Sequence, residues 1–82
     1  MNIAELQEDS LLDRRQVAEA LTASGYPISH NTLATKASRG GGPVYELWGR
    51  KPLYRWAAAL AWAQSRLSPP AHSSAEHAER AA

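Results

Sequence analysis

The chain has no cysteine, so neither a disulfide framework nor a thiolate zinc site can supplement its core, and a reducing cytoplasm is the natural setting. Phenylalanine is also absent, and although 44% of the residues are apolar, 16 of the 82 are alanine. A domain of this size buries only about 60% of its unfolded surface. Its stability therefore rests on few large side chains. Long apolar runs are missing too: the stretch from Trp56 to Ala63 is far shorter than the roughly 18 residues that cross a bilayer. The N-terminus is acidic rather than basic, so neither a membrane span nor a signal peptide is expected.

Signatures of bond chemistry are equally scarce. The glycine triplet Gly40-Gly41-Gly42 lacks the lysine-serine ending of a phosphate cradle and reads as a linker. No serine or carboxylate has a histidine at a spacing that would pair them locally. His72 and His77 lie in the tail with poor ligand spacing and His30 stands alone, so no metal site is expected. No cofactor is implied, and the protein is not expected to be an enzyme.

What is present is unevenly distributed. Between Leu11 and Leu67 there are 17 large apolar or aromatic side chains, against Met1, Ile3 and Leu6 before this stretch and none after it. One domain over 11–67 is expected, with an acidic arm at 1–10 and a disordered tail at 68–82. Charge follows the same division. The arm carries Glu5, Glu8 and Asp9, and the tail carries Glu76, Glu79 and Arg80. The middle sets Arg14, Arg15, Lys36, Arg39, Arg50, Lys51, Arg55 and Arg66 against only Asp13, Glu19 and Glu46. The net charge of +1 thus conceals a basic compact part, a footprint suited to nucleic acid but shared with many ordinary solvated surfaces.

Local signals divide the compact part into elements. Asp13 and Gln16 form a capping box, with Leu12 and Val17 at staple spacing, so a first helix starts near Arg14. Val17, Ala18, Ala20 and Leu21 line one of its faces. Gly25 and Pro27 end it near Ser24. Ser29 caps a second helix in which Leu33 and Ala37 face inward while His30, Asn31, Thr35, Lys36 and Arg39 point elsewhere. The triplet and Pro43 close it. Val44 to Trp48 and Leu53-Tyr54 are rich in β-formers, and Gly49-Arg50-Lys51-Pro52 between them reads as the turn of a two-stranded hairpin. Trp56 to Leu67 reads as a third helix, stopped by Ser68-Pro69-Pro70.

Two helices joined by a glycine-containing turn, the second polar on its outer face, can place a helix in the DNA major groove. Helical hairpins that only pack have the same outline. The wing shifts the balance, because Arg50 and Lys51 at its tip can reach a phosphate or enter a minor groove. Asn31 and Arg39 suit base edges, Lys36 suits a phosphate, and Thr35 can offer a hydroxyl bond or a methyl contact to thymine. Arg14 and Arg15 oppose the dipole at the start of the first helix, which points to a partner outside it, with phosphate as one candidate. The spacing of Trp56 and Trp62 places both in the core rather than on a stacking platform for single strands, and Trp48 is expected to anchor the wing.

Three strings, LLDRRQVAEAL, ISHNTLATKASRGGGPVYELWGRKPLYR and AWAQSRL, together resemble the phage-type excisionases, also called recombination directionality factors. Their relatives are the small AlpA-like regulators of the MerR-like winged helix-turn-helix class. The glycine-rich link into a wing bearing Gly49-Arg50 and the exit through Tyr54-Arg55 are the more specific parts. The resemblance implies a mainly α single domain with a small β-hairpin wing, the second helix in the major groove and the wing along the minor groove. It also implies self-association along bent DNA beside an integrase, either a tyrosine or a serine recombinase. It assigns Asn31, Thr35, Lys36 and Arg39 to the recognition helix and Arg50 and Lys51 to the wing, and His30, at the start of that helix, is counted among the candidate DNA-binding residues. One departure stands out: Ala57, Ala58 and Ala59 occupy positions where an acidic cap and a larger aliphatic residue are usual.

The expectation is a cytoplasmic, nucleoid-associated protein that binds double-stranded DNA without bond chemistry, acting as an excisionase. A small transcriptional regulator with the same contacts is the first alternative. A protein-interaction or packaging adaptor using Val44 and Trp48 is the second.

Overall fold

The computed structural model describes residues 5–68, 70–72 and 74. Most of the expected tail, and the first four residues of the arm, lie outside the described residues. The element order is β1 (Leu11–Leu12), α1 (Arg14–Ala23), α2 (His30–Arg39), β2 (Glu46–Trp48), β3 (Lys51–Arg55) and α3 (Trp56–Ser65). Among the described residues α1 and α3 pack on a three-stranded antiparallel sheet of order β1-β3-β2, and α2 packs on α1.

The ends of α1 follow from local chemistry. Asp13 accepts the Gln16 backbone N–H at 2.8 Å while the Gln16 side-chain carbonyl accepts the Asp13 N–H at 2.9 Å, which closes the capping box. At the other end Gly25 takes φ +101°, a conformation that costs a residue with a Cβ. The Tyr26 N–H then reaches back to the Leu21 carbonyl at 2.8 Å and the Gly25 N–H to Thr22 at 3.1 Å, the two bonds of a Schellman closure. Ser29 caps α2 by accepting the Thr32 N–H at 3.1 Å.

The core is small. Leu12, Val17, Leu21, Leu33, Tyr54 and Trp56 are its large buried members, filled in by Ala18, Ala20, Ala59 and Ala63. Leu6, Tyr26, Ile28, Leu60 and Trp62 pack against it from the margin. Leu33 is the one buried residue of α2, so this helix leans on α1 by a narrow stripe and leaves most of its circumference outward.

Four expectations need correction. The sheet has a third strand: β1 pairs with β3, Leu11 opposite Arg55 and Leu12 opposite Tyr54. The hairpin turn is Gly49-Arg50 alone, with Trp48 opposite Lys51 and Leu47 opposite Pro52, and Gly49 at φ +65° supplies the positive first position of a II′-type turn. In such a hairpin the pair flanking the turn is the hydrogen-bonded one and the next is not. The nitrogen of Pro52 therefore faces away from β2, and β1 does not extend that far, so proline costs the ladder nothing. Third, Trp48 anchors nothing: it is 76% exposed. Fourth, α3 ends at Ser65, and Leu67 lies beyond it, exposed.

The start of α3 explains the alanines. Arg55 at its N-cap makes no side-chain bond. Instead the Trp56 N–H donates to the Ser10 carbonyl and the Ala57 N–H to the Glu8 carbonyl, both at 3.0 Å. Residues 7–10 form a turn in which the Gln7 N–H donates to Ser10 Oγ and the Ser10 N–H to the Gln7 carbonyl. Main-chain groups from the acidic arm thereby satisfy donors that a capping side chain would otherwise take. Among the described residues no helix is long and apolar enough to cross a membrane.

Candidate nucleic-acid interface

On α2, Asn31, Thr35 and Arg39 follow one another at intervals of four and are all exposed, forming a row on the side opposite Leu33. The Thr35 hydroxyl donates to the Asn31 carbonyl at 3.1 Å. Its proton is committed within the helix, and the methyl group is what remains for an apolar contact. Lys36 is half-buried on the flank of this row. Its side chain lines the groove toward α3 with Tyr26 and Trp62, and also the hollow along Gly40 to Gly42. His30, half-buried at the start of α2, shares a shallow groove with Arg15, Glu19 and Thr22 of α1.

The hairpin contributes Arg50 and Lys51, both exposed. Lys51 Nζ stands 3.9 Å from Asp13 Oδ2, so the strand that leaves the turn reaches the N-cap of α1. Lys51 thus lies near the start of α1, and Arg15 and His30 line the shallow groove between α1 and α2.

Arg14, expected at the start of α1 to point to an outside partner, also has an internal one. Its Nε donates to the Tyr54 hydroxyl at 2.9 Å, and its guanidinium lies 5.5 Å from the centroid of the Tyr45 ring. The partner that offsets its unfavourable place in the helix dipole is an internal tyrosine.

Three further features escaped sequence reasoning. Arg55 binds Glu46 across the sheet, Nε to Oε1 at 3.0 Å and Nη2 to Oε2 at 3.4 Å. That hydrogen bond and the charge of Glu46 raise the pKa of Arg55 above its ordinary value. Trp62 Nε1 donates to the Gly41 carbonyl at 2.9 Å, which ties the glycine-rich link to α3. The exposed Trp48 shares strand parity with Glu46, two residues before it. That alternation was the available signal: a carboxylate facing solvent on a short strand carries the residue two places on to the same face.

Among the described residues no group of histidine, aspartate and glutamate is gathered as metal ligands would be. The apolar groove between the end of α1, α2 and α3 has a volume of about 310 Å³ and is lined by Leu21, Tyr26, Ile28 and Trp62, with Lys36 and Arg66 at its rim. It contains no carboxylate, histidine or thiol. No protein-family model, curated protein or solved structure matches the chain.

Proposed function

We propose that this protein is a winged helix-turn-helix module that binds double-stranded DNA, with α1 and α2 as the helical pair, α2 as the reading helix and the β2–β3 hairpin as the wing. The observation that supports this is that the hairpin reaches the N-cap of α1 through Lys51 and Asp13, while Arg15 and His30 line one groove between α1 and α2. These basic residues come from three elements, and Asn31, Thr35 and Arg39 form a polar, exposed row on α2. Asn31 and Arg39 are the base-reading candidates. Arg15, Lys36, Arg50 and Lys51 supply phosphate contacts. The protein acts by occupying and shaping DNA rather than by making or breaking bonds.

The resemblance in the sequence gives the specific role: an excisionase that binds tandem sites cooperatively, bends attachment-site DNA at the nucleoid and assists a partner integrase. So small a reader buries only about 600–1,000 Å² on DNA, so useful specificity calls for several copies side by side. The test is a gel-shift titration on DNA flanking its own gene, with random-sequence competitor and circularly permuted probes. Laddered, cooperative, bent complexes support the excisionase. One discrete unbent complex assigns a plain transcriptional regulator.

The exposure of Val44 and Trp48, 73% and 76%, favours a second reading as a protein-interaction or packaging adaptor. Binding that random competitor abolishes would move the assignment there.

A further inference from the structure

The geometry points to Trp48 as a direct aromatic contact to DNA at the tip of the hairpin, its indole lying against sugars and base edges of the groove between phosphates held by Arg50 and Lys51. This deepens, and rests on, the DNA-binding function proposed above.

Trp48 and Lys51 are directly opposed across the hairpin, so both side chains stand on the same face of the sheet. Arg50 lies between them in the turn. The nearest carboxylate on the hairpin, Glu46, is already bound by Nε and Nη2 of Arg55. Lys51 has Asp13 at 3.9 Å, a solvent-exposed pair of the weak kind that a phosphate can displace, so the indole stands between two cations able to meet phosphates. A tryptophan contributes 150–250 Å² of burial where it is packed, by general experience about the largest share of any side chain. Here about three quarters of the residue stays in water, in a chain whose other two tryptophans are put to use: Trp56 is buried and Trp62 is hydrogen-bonded and half-buried.

The occupant that fits such a tip has a flat or apolar surface at its centre and negative charge on both sides within the reach of a lysine or arginine. A duplex groove has this profile, because its floor of base edges and deoxyribose is bordered by two phosphate backbones. A groove exposes base edges and sugars rather than base faces, so the contact is one of apolar burial, and withdrawing a large apolar side chain from water is worth about 1.5–3 kcal/mol, a factor of about 10 to 150 in affinity.

The experiment follows a labelled duplex by anisotropy while intrinsic tryptophan emission is challenged with acrylamide, in the full chain and in Trp48→Phe and Trp48→Ala. Trp48 is the most quencher-accessible of the three tryptophans, being 76% exposed against 8% for Trp56 and a half-buried Trp62, and the Trp48→Phe variant supplies the background from the other two. Circular dichroism shows whether the variants keep the fold, as an exposed side chain predicts. Saturating duplex is expected to bring acrylamide quenching of the full chain down to the level of Trp48→Phe. The alanine variant is expected to lose about 10- to 150-fold in affinity, and the phenylalanine variant to retain most of it. If the duplex binds with normal salt dependence while Trp48 stays as quenchable as before and Trp48→Ala binds normally, the inference is overturned and the DNA-binding function stands. If no duplex binds, both fall. Protection that grows with protein concentration in the absence of DNA would assign the tip to a second copy instead, and likewise overturn the inference.

Discussion

Arg14 and Tyr54, on α1 and β3, are joined by a hydrogen bond of 2.9 Å from guanidinium to phenol. Tyr54 is 1% exposed, so its hydroxyl requires a partner, and its ring leans on Tyr45 with centroids 5.6 Å apart. Arg14 covers that pair. Its removal forfeits a charge-assisted bond, worth about 1.5 kcal/mol at the lower end of its range. Arg14→Ala is therefore expected to lower the melting temperature by roughly 6–12 °C in a domain of this size. A thermal scan that shows no change would leave Arg14 to the phosphate role its position first suggested.

Leu33 holds α2 against the core almost unaided. Leu33→Ala should cost about 2–5 kcal/mol, a large part of the 5–15 kcal/mol that an ordinary domain possesses. Urea denaturation is expected to show the midpoint collapse, with DNA binding lost in parallel because the reading helix loses its seat.

Arg50 and Lys51 test the wing through salt. If each neutralises one phosphate, the double alanine variant should flatten the slope of log affinity against log salt by about 1.8 per bound copy. Titrations at several salt concentrations read this directly, and an unaltered slope removes the hairpin cations from the interface.

Asn31 and Thr35 separate base reading from backbone contact. Asn31→Ala should weaken a specific site by about 1–3 kcal/mol and scarcely touch random DNA. Thr35→Val keeps a methyl group and gives up only the hydroxyl that already serves the Asn31 carbonyl, so its specificity should match the parent. Competition assays with specific and random duplexes compare all three proteins, and equal loss on both DNAs would make Asn31 a phosphate ligand.

The elements legible in the sequence were those whose ends are fixed within a few residues. Asp13 with Gln16, Gly25 with Pro27, and Ser29 each act on their own neighbourhood, and the structure has helices where they imply them. What was not legible depends on partners far along the chain. Two leucines make a strand only because β3 returns beside them, and no local period marks a strand that short. Pro52 read as part of the turn; it lies in β3 instead, because register with Leu47 turns the position of its missing donor outward. For the candidate site, the polar row of α2 was visible as residue types at helical spacing. The inward turn of Arg14 was not, since Tyr45 and Tyr54 that attract it lie on the far side of α2.

The main-chain caps on α3 bear on the order in which the molecule assembles. The α1–α2 pair joins segments close in sequence, and contacts of that kind form early because little loop entropy opposes them. Glu8 and Ser10 can serve Trp56 and Ala57 only after nearly the whole described chain has emerged, and β1 waits for β3 in the same way. The helical pair and the β2–β3 hairpin are thus positioned to form early, while β1 and the arm join β3 and the last helix in one late event that draws the two ends of the domain together. A folding transition state rich in α1–α2 contacts and poor in arm–α3 contacts is the kinetic imprint of that arrangement. A fusion or truncation at the arm would then act chiefly on the rate of unfolding, leaving the rate of folding nearly untouched.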